Sequence, residues 1–226
     1  LQTDYIDLYQ LHWPDRPMNL FGGPLNYQHI DGETNSIESI LDGLSELIKI
    51  GKIRHIGLSN ETPWGTMEFL HQSKNKNLPR VQSIQNAYNL LNRIFEFGGS
   101  EIVFREKVGL LAYSPLAQGY LTGKYQNGNL PKGSRKELFD RLQRYEGIGS
   151  EEAIEKYLDI AKKHNVDPSQ LANQFVTTRP FVTSNIIGAT NMEQLELAIT
   201  STQIDINEEI ENDIELAFKM HGNVAA

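Results

Sequence analysis

The chain has 226 residues, a formal net charge of −8, 39% hydrophobic residues and no cysteine. That length suits one large α/β domain or, less comfortably, two small ones, and the missing thiols exclude disulfides, thiolate metal sites and cysteine nucleophiles. The acidic balance, with no lysine- or arginine-rich stripe to displace counterions, excludes a general nucleic-acid binder. No apolar run approaches the ~20 residues that span a bilayer. No secretory signal opens the chain, so a cytoplasmic, non-membrane location is expected.

The stretch Tyr5 to Pro14, YIDLYQLHWP, reads as a buried strand ending on a polar tip, because Pro14 has no N–H to give a ladder. His12 stands at its carboxyl end, where side chains of a parallel α/β sheet or barrel converge on a ligand; an isolated histidine there is more often a packed core residue. The chain opens within a few residues of this strand and Leu1 is not a methionine, so an N-terminal portion is expected to be missing. A long loop, Asp15 to Asn35, follows, of the kind that forms lids or binding sites; Phe21 and Tyr27 are candidates to line a pocket. Asn35 and Glu38 form a capping box for a helix bearing Ile37, Ile40, Leu41, Leu44, Leu47 and Ile48, closed by Gly51.

Ile53 to Leu58 is the second strand, finishing on Ser59-Asn60, and Pro63 opens a helix over Thr62–Lys74. Val81 to Ala87 is the third strand, and a short helix lies between Gly98 and Lys107. Val108 to Tyr113 is the fourth, broken by Ser114-Pro115 and followed by a glycine-rich connection. Ser150 caps the next helix; Asp167, Pro168 and Gln170 open another as N-cap, N1 and N3. Asn185 to Ala189 reads as a fifth strand, Thr190 and Glu193 box a helix, and a last helix from about Asn207 to Met220 buries Ile210, Ile214 and Ala217.

The strands are apolar almost throughout, as in parallel sheets covered on both faces. They end in polar groups at His12, Ser59-Asn60, Gln85-Asn86, Ser114 and Thr190, which points to a shared carboxyl-end site. A (β/α)₈ TIM barrel takes ~250 residues for eight units, so the chain reads as the later portion of one, roughly strands 4–8 with their helices; an open five-stranded sheet is the alternative. Gly147-Ile148-Gly149 is no dinucleotide fingerprint, since Glu152 stands at the third glycine position and no strand precedes it. Ser114 lies in YSPL, not in a nucleophile elbow. No histidine pairing of the H-E-x-x-H type occurs, so no metal is expected. His164 falls near a helix C-terminus, where a cation is favoured, and His29, His55, His71 and His221 read as surface residues.

Five segments in series, YIDLYQLHWP, GKIRHIGLSN, QNAYNLLNR, LLAYSPLAQGYLTGKY and IIGATNMEQL, resemble the aldo/keto reductases. The likeness is greatest to bacterial Tas-type members and the related potassium-channel β subunits, and covers essentially the whole chain. It implies a single (β/α)₈ barrel domain, of which residues 1–226 supply the C-terminal portion, with NADP(H) bound at its carboxyl face. It also implies a tetrad of Asp, Tyr, Lys and His, of which His12 is the histidine; the other three belong to segments upstream of Leu1, so the isolated chain is expected to be inactive and poorly folded. Channel β subunits typically carry asparagine at the His12 position, which favours a working reductase over a catalytically weak NADP(H)-binding sensor or auxiliary subunit.

By the same resemblance Ser59, Asn60 and Gln85 hold the carboxamide and Tyr113 stacks on the nicotinamide. Ser114, Pro115, Leu116, Gln118, Gly119 and Lys124 wrap the pyrophosphate, with Arg135 a looser phosphate contact. Gly188, Thr190 and Gln194 match the adenosine-phosphate end, where a helix N-terminus favours an anion. Leu197 and Ala198 depart from the family's usual Glu and Asn at the adenine. Trp13 is a candidate for the substrate wall, and the expected partner is a small carbonyl compound, reduced to an alcohol by hydride transfer.

Overall fold

The structure is a computed structural model that describes residues 2–18, 28–139 and 143–225. Phe21 and Tyr27 lie outside the described residues. The chain divides into two compact units, one holding described residues 2–18, 28–86 and 96–111, the other 87–95, 112–139 and 143–225.

The first unit alternates strand and helix: β1 (Ile6–Leu11), α1 (Ile37–Lys49), β2 (Ile53–Ser59), α2 (Pro63–Lys76), β3 (Val81–Ala87), α3 (Gly99–Glu106) and the start of β4 (Gly109–Tyr113). β1 and β2 pair in parallel with Ile6 opposite Ile53 and Leu11 opposite Leu58; β2 and β3 do so with Leu58 opposite Ile84 and Ser59 opposite Gln85. β4 follows β3 in the strand order. Ile53, Ile56, Leu58, Val81 and Ile84 are buried with Leu41 and Leu44 of α1 and Phe69 and Leu70 of α2, each worth about 1.5–3 kcal/mol of transfer free energy. The expectation of strands buried on both faces is met in part: β2 buries five of seven residues and β3 three of seven, whereas β1, at the edge of the order, and β5 (Val182–Ile186) bury none.

The second unit takes the end of β4, the turns that follow it, α4 (Arg135–Phe139), α5 (Ser150–Lys163), α6 (Pro168–Thr177), β5 (Val182–Ile186), α7 (Met192–Thr200) and α8 (Glu208–His221). Its core holds Tyr88, Leu90 and Leu91 with Tyr157, Ile160, Phe175, Val176, Ile210, Ile214 and Ala217. One buried and one half-buried cation staple it. The Arg93 guanidinium lies 4.2 Å from the Phe218 centroid and 2.6 Å from Glu215, and Arg179 is bidentate to Glu211 at 2.6 and 2.7 Å while covering Phe175.

Several boundaries differ from the sequence expectation. α1 is capped by Ser36, whose hydroxyl accepts from Ser39 N, because Asn35 is engaged by the Asp15 carboxylate at 2.6 Å. Leu47 is exposed, while the rest of the expected stripe is covered, Leu41 and Leu44 fully and Ile37, Ile40 and Ile48 in part. Gly149, at φ 80°, takes the N-cap place expected of Ser150, which is buried and donates to Val224 O. β5 lies three residues earlier than expected, since the β-branched Val182-Thr183 pair starts it just after Pro180. Asn191, accepting from Gln194 N, caps α7 in place of Thr190. His221 is half-buried, while His29, His55 and His71 are exposed. His164 is the C-cap of α5, as its position implied. No helix among the described residues is long and apolar enough to cross a membrane.

Candidate active site

In the first unit the ends of β1, β2 and β3 meet. β1 stops at Leu11, and the chain turns through a buried Pro14. His12 is exposed, and its ring stacks on Trp13 with centroids 4.3 Å apart and planes at 25°. It is therefore no packed core histidine. Its carbonyl accepts from Asn60 Nδ2 at 2.7 Å. Asn60 itself is left-handed, φ 55°, a conformation asparagine adopts more readily than most residues. Its N–H donates to Gln85 O at 3.0 Å, and the Ser59 hydroxyl donates to the same oxygen at 2.8 Å. Gln85 Nε2 donates to Gln10 Oε1 at 3.1 Å, and Gln10 Nε2 reaches Leu58 O at 3.3 Å.

His12, Ser59, Asn60 and Gln85 are thus brought together, with Gln10 as a member that the sequence reading missed. The signal was there: Gln10 precedes His12 by two residues, so the period of two puts both on one side of the strand direction. Also missed was an ion pair at the foot of this cluster, Arg16 with Glu61.

In the second unit the chain leaving β4 forms a run of left-handed turns. Tyr113 is half-buried and its carbonyl accepts from Tyr88 N at 3.3 Å. Ser114 sits at φ 60°, Ala117 at 48°, Gln118 at 57° and Gly119 at 104°. Ser114 O accepts from Ala117 N and from Asn89 Nδ2, both at 2.9 Å; Leu116 O accepts from Gly119 N at 2.8 Å. Pro115 is buried beneath this run. Glycine suits position 119 because of its φ of 104°, and its bare Cα leaves room for the Lys124 side chain, which a Cβ would meet at 2.7 Å. Successive turned amides with an ammonium laid across them make a concavity suited to an anion. Gln118 Oε1 is buried there with no partner among the described residues. The turned amides and the ammonium fit a diphosphate, whereas Gln118 Oε1, an acceptor, suits a donor such as a ribose hydroxyl.

Farther along, Tyr120 donates to the Glu146 carboxylate, and Lys136 Nζ lies 2.6 Å from it. The hydrogen bond from Lys136, then that from Tyr120, holds the Glu146 carboxyl below its usual range. Arg135 is exposed on the first residue of α4, and it is Lys136 that forms the ion pair. Thr190 N donates to Gln194 Oε1 at 2.9 Å and Gln194 N to Asn191 Oδ1 at 2.9 Å, which closes the entrance of α7; Gly188 is exposed beside them with open space around its Cα. Leu197 and Ala198, one turn on, are half-buried.

Among the described residues one group could offer three metal ligands, His164, Glu209 and Asp213, within 4.8 Å of one another. The Lys163 ammonium already lies 2.7 Å from Asp213 and 3.3 Å from Glu209, so a resident cation already engages both carboxylates.

Residues 1–216 match the model of the Aldo/keto reductase family. The chain is 48% identical over 222 residues to Protein tas of Escherichia coli (strain K12), covering 98% of this chain and 64% of that protein. It is 43% identical over 208 residues to an Aldo-keto reductase of Babesia bovis, 86% of this chain and 73% of that protein. With L-glyceraldehyde 3-phosphate reductase of Escherichia coli (strain K12) it shares 30% identity over 178 residues, 75% of this chain and 50% of the relative. The chain therefore spans 64% of the length of the Tas protein that it matches.

Proposed function

The chain belongs to the aldo/keto reductase family of oxidoreductases, and from that membership we propose that it forms the carboxyl-terminal part of a (β/α)₈ barrel, roughly strands 4–8, that reduces aldehyde or ketone carbonyls with NADPH. The observation that carries the reading is His12, exposed beside Trp13 at the carboxyl end of β1 with its main chain fixed by Asn60. A carbonyl-reducing relative, L-glyceraldehyde 3-phosphate reductase, supports the substrate class.

The nicotinamide supplies hydride when bound; orientation and polarisation are left to the protein. His12 offers a ring nitrogen toward the carbonyl oxygen or its proton donor, a role in which a positioned side chain contributes about 10²–10⁴-fold. Ser59, Asn60 and Gln85 present the donors and acceptors that a carboxamide edge requires, and Tyr113 offers a flat ring to the nicotinamide. Ser114, Pro115, Leu116, Gln118, Gly119 and Lys124 form the anion cradle for the pyrophosphate. Gly188, Thr190 and Gln194 at the start of α7 serve the adenosine phosphate, with Arg135 as an outer cation. Trp13 walls the substrate. The protein acts in the cytoplasm.

Fluorescence titration of the full-length protein with NADPH and NADH, followed by a carbonyl-reduction assay, tests this. Tight NADPH binding with turnover is expected; indifference to both pyridine nucleotides refutes it.

A further inference from the structure

The five residues from His12 to Arg16 are tied down at both ends by consecutive residues of another loop. At one end Asn60 Nδ2 holds the His12 carbonyl at 2.7 Å. At the other, Arg16 is bidentate to Glu61, Nη1 to Oε2 at 2.9 Å and Nη2 to Oε1 at 2.5 Å, with Nη2 also 3.1 Å from Thr62 Oγ1. The Glu61 side chain is only 2% exposed, against 23% for Arg16. Glu61 Oε1 further accepts from Thr62 N at 2.6 Å, at the positive end of α2, and Glu61 O accepts from Asn86 Nδ2 at 2.9 Å. The guanidinium covers the Trp64 ring at 5.0 Å. Between the two ties Asp15 holds Asn35, before α1, through its carboxylate at 2.6 Å.

Room for this pair is made in the sequence. A Cβ on Gly65 would lie 2.2 Å from Glu61 Oε1 and 2.7 Å from Arg16 Nη2. An exposed loop that merely needed anchoring would not require a buried carboxylate, a bidentate arginine and a glycine in the first turn of a helix. What the ties enclose is the His12–Trp13 stack.

We infer that Arg16, acting through Glu61, is a positioning residue that fixes the His12–Trp13 pair for the carbonyl substrate. The inference rests on the reductase reading above. Loss of the bidentate geometry lets the turn relax, and displacement of about 1 Å at reacting groups can cost about 10²-fold.

The test uses full-length protein, NADPH and para-nitrobenzaldehyde, at a temperature where circular dichroism shows each variant folded. Arg16→Met and Glu61→Gln are each expected to lower kcat/KM about 10–100-fold, while the NADPH dissociation constant changes less than about threefold, under 1 kcal/mol. The double variant should be no worse than the more impaired single one, because both remove one clamp. Arg16→Lys, which keeps charge but cannot form the fork, should fall between wild type and Arg16→Met, and it decides the matter if Arg16→Met does not fold. Wild-type kinetics in folded Arg16→Met or Arg16→Lys, or losses that multiply in the double variant, overturn the inference alone. Wild-type protein that neither binds NADPH nor reduces the aldehyde overturns the reductase reading and the inference with it.

Discussion

Alanine in place of glycine inside a helix ordinarily stabilises by up to about 1 kcal/mol. Gly65 and Gly43 are both helical, in α2 and α1 respectively, yet their surroundings differ. A Cβ at Gly43 meets nothing within 4 Å, whereas one at Gly65 would lie 2.2 Å from Glu61 Oε1 and 2.4 Å from Glu61 Cδ. Gly43→Ala should therefore gain the propensity term. Gly65→Ala must expel the Arg16–Glu61 pair, and breaking a buried pair costs about 3–5 kcal/mol. The partial exposure of Arg16 lets its charge escape to water, which favours the lower end, about 3 kcal/mol. Net of the helix gain, Gly65→Ala should destabilise by about 2 kcal/mol. At 2–4 °C per kcal/mol for a chain of this size, its Tm should fall by roughly 4–8 °C while that of Gly43→Ala rises by roughly 2–4 °C. Thermal unfolding followed by circular dichroism, both variants beside wild type, measures this. A Gly65→Ala protein as stable as wild type would show that the pair is not packed against the helix as described.

Glu211→Gln should lose about 1–2 kcal/mol near neutral pH by removing the bidentate partner of Arg179. Because the hydrogen bond from Arg179 holds the Glu211 carboxyl below its ordinary 4.5, that contribution is complete above this value and disappears as pH falls below it toward the lowered folded value. Urea midpoints of wild type and variant should converge in acid and separate near neutrality. Asn60→Gly keeps access to φ 55° but loses the bond to His12 O; Asn60→Ala loses both, so its unfolding free energy should drop about 1 kcal/mol further, and both should weaken nucleotide binding in fluorescence titrations. Asn89, fully buried, donates to Ser114 O at 2.9 Å and accepts from Leu91 N at 2.9 Å; Asn89→Leu should cost about 2–4 kcal/mol in urea unfolding by leaving the buried Leu91 N–H unpaired and removing one donor to Ser114 O.

Strand and helix order was readable because it rests on local periodicity. β3 and the buried face of α8 lie where apolar spacing put them, and Thr62, Pro63, Asp167 and Pro168 open their helices with side chains that act within three residues. Errors arose where neighbours competed for the same role. Asn35, Ser36, Gly149 and Ser150 can all cap a helix, and tertiary bonds from Asp15 and to Val224 decide which one does. The Arg16–Glu61 pair joins residues 45 apart in sequence. No period connects them, although a glycine in the first turn of α2 is a visible cost that asks for a reason. The proximity of His12, Ser59, Asn60 and Gln85 was legible because each directly ends or follows a strand. Arg135, the first residue of α4, and Gly188 rested on the resemblance alone, because exposed positions carry no packing signature.

The left-handed residues divide the chain into two kinds of turn. Asn77, Lys107 and Asn165 end α2, α3 and α5, where this conformation is the normal way to terminate a helix. Asn60, Ser114, Ala117 and Gln118 follow strands instead, and β-sheet geometry does not ask for them. Such a residue costs on the order of 1–2 kcal/mol unless something over-determines it. At Asn60 the compensation is its own amide on His12 O; at Ser114 it is the Asn89 amide and the Ala117 N–H on its carbonyl. Gln118 is different: its side-chain oxygen is buried without a partner, so its conformation adds a desolvation cost to the backbone cost. Stability selection alone would replace that glutamine. A hydroxyl of the bound dinucleotide that donates to Gln118 Oε1, as the proton-free diphosphate oxygens cannot, offsets the desolvation cost, and Gln118→Gly should therefore raise the Tm of the ligand-free protein while weakening NADPH binding. A variant that loses both stability and affinity would place Gln118 among ordinary core residues instead.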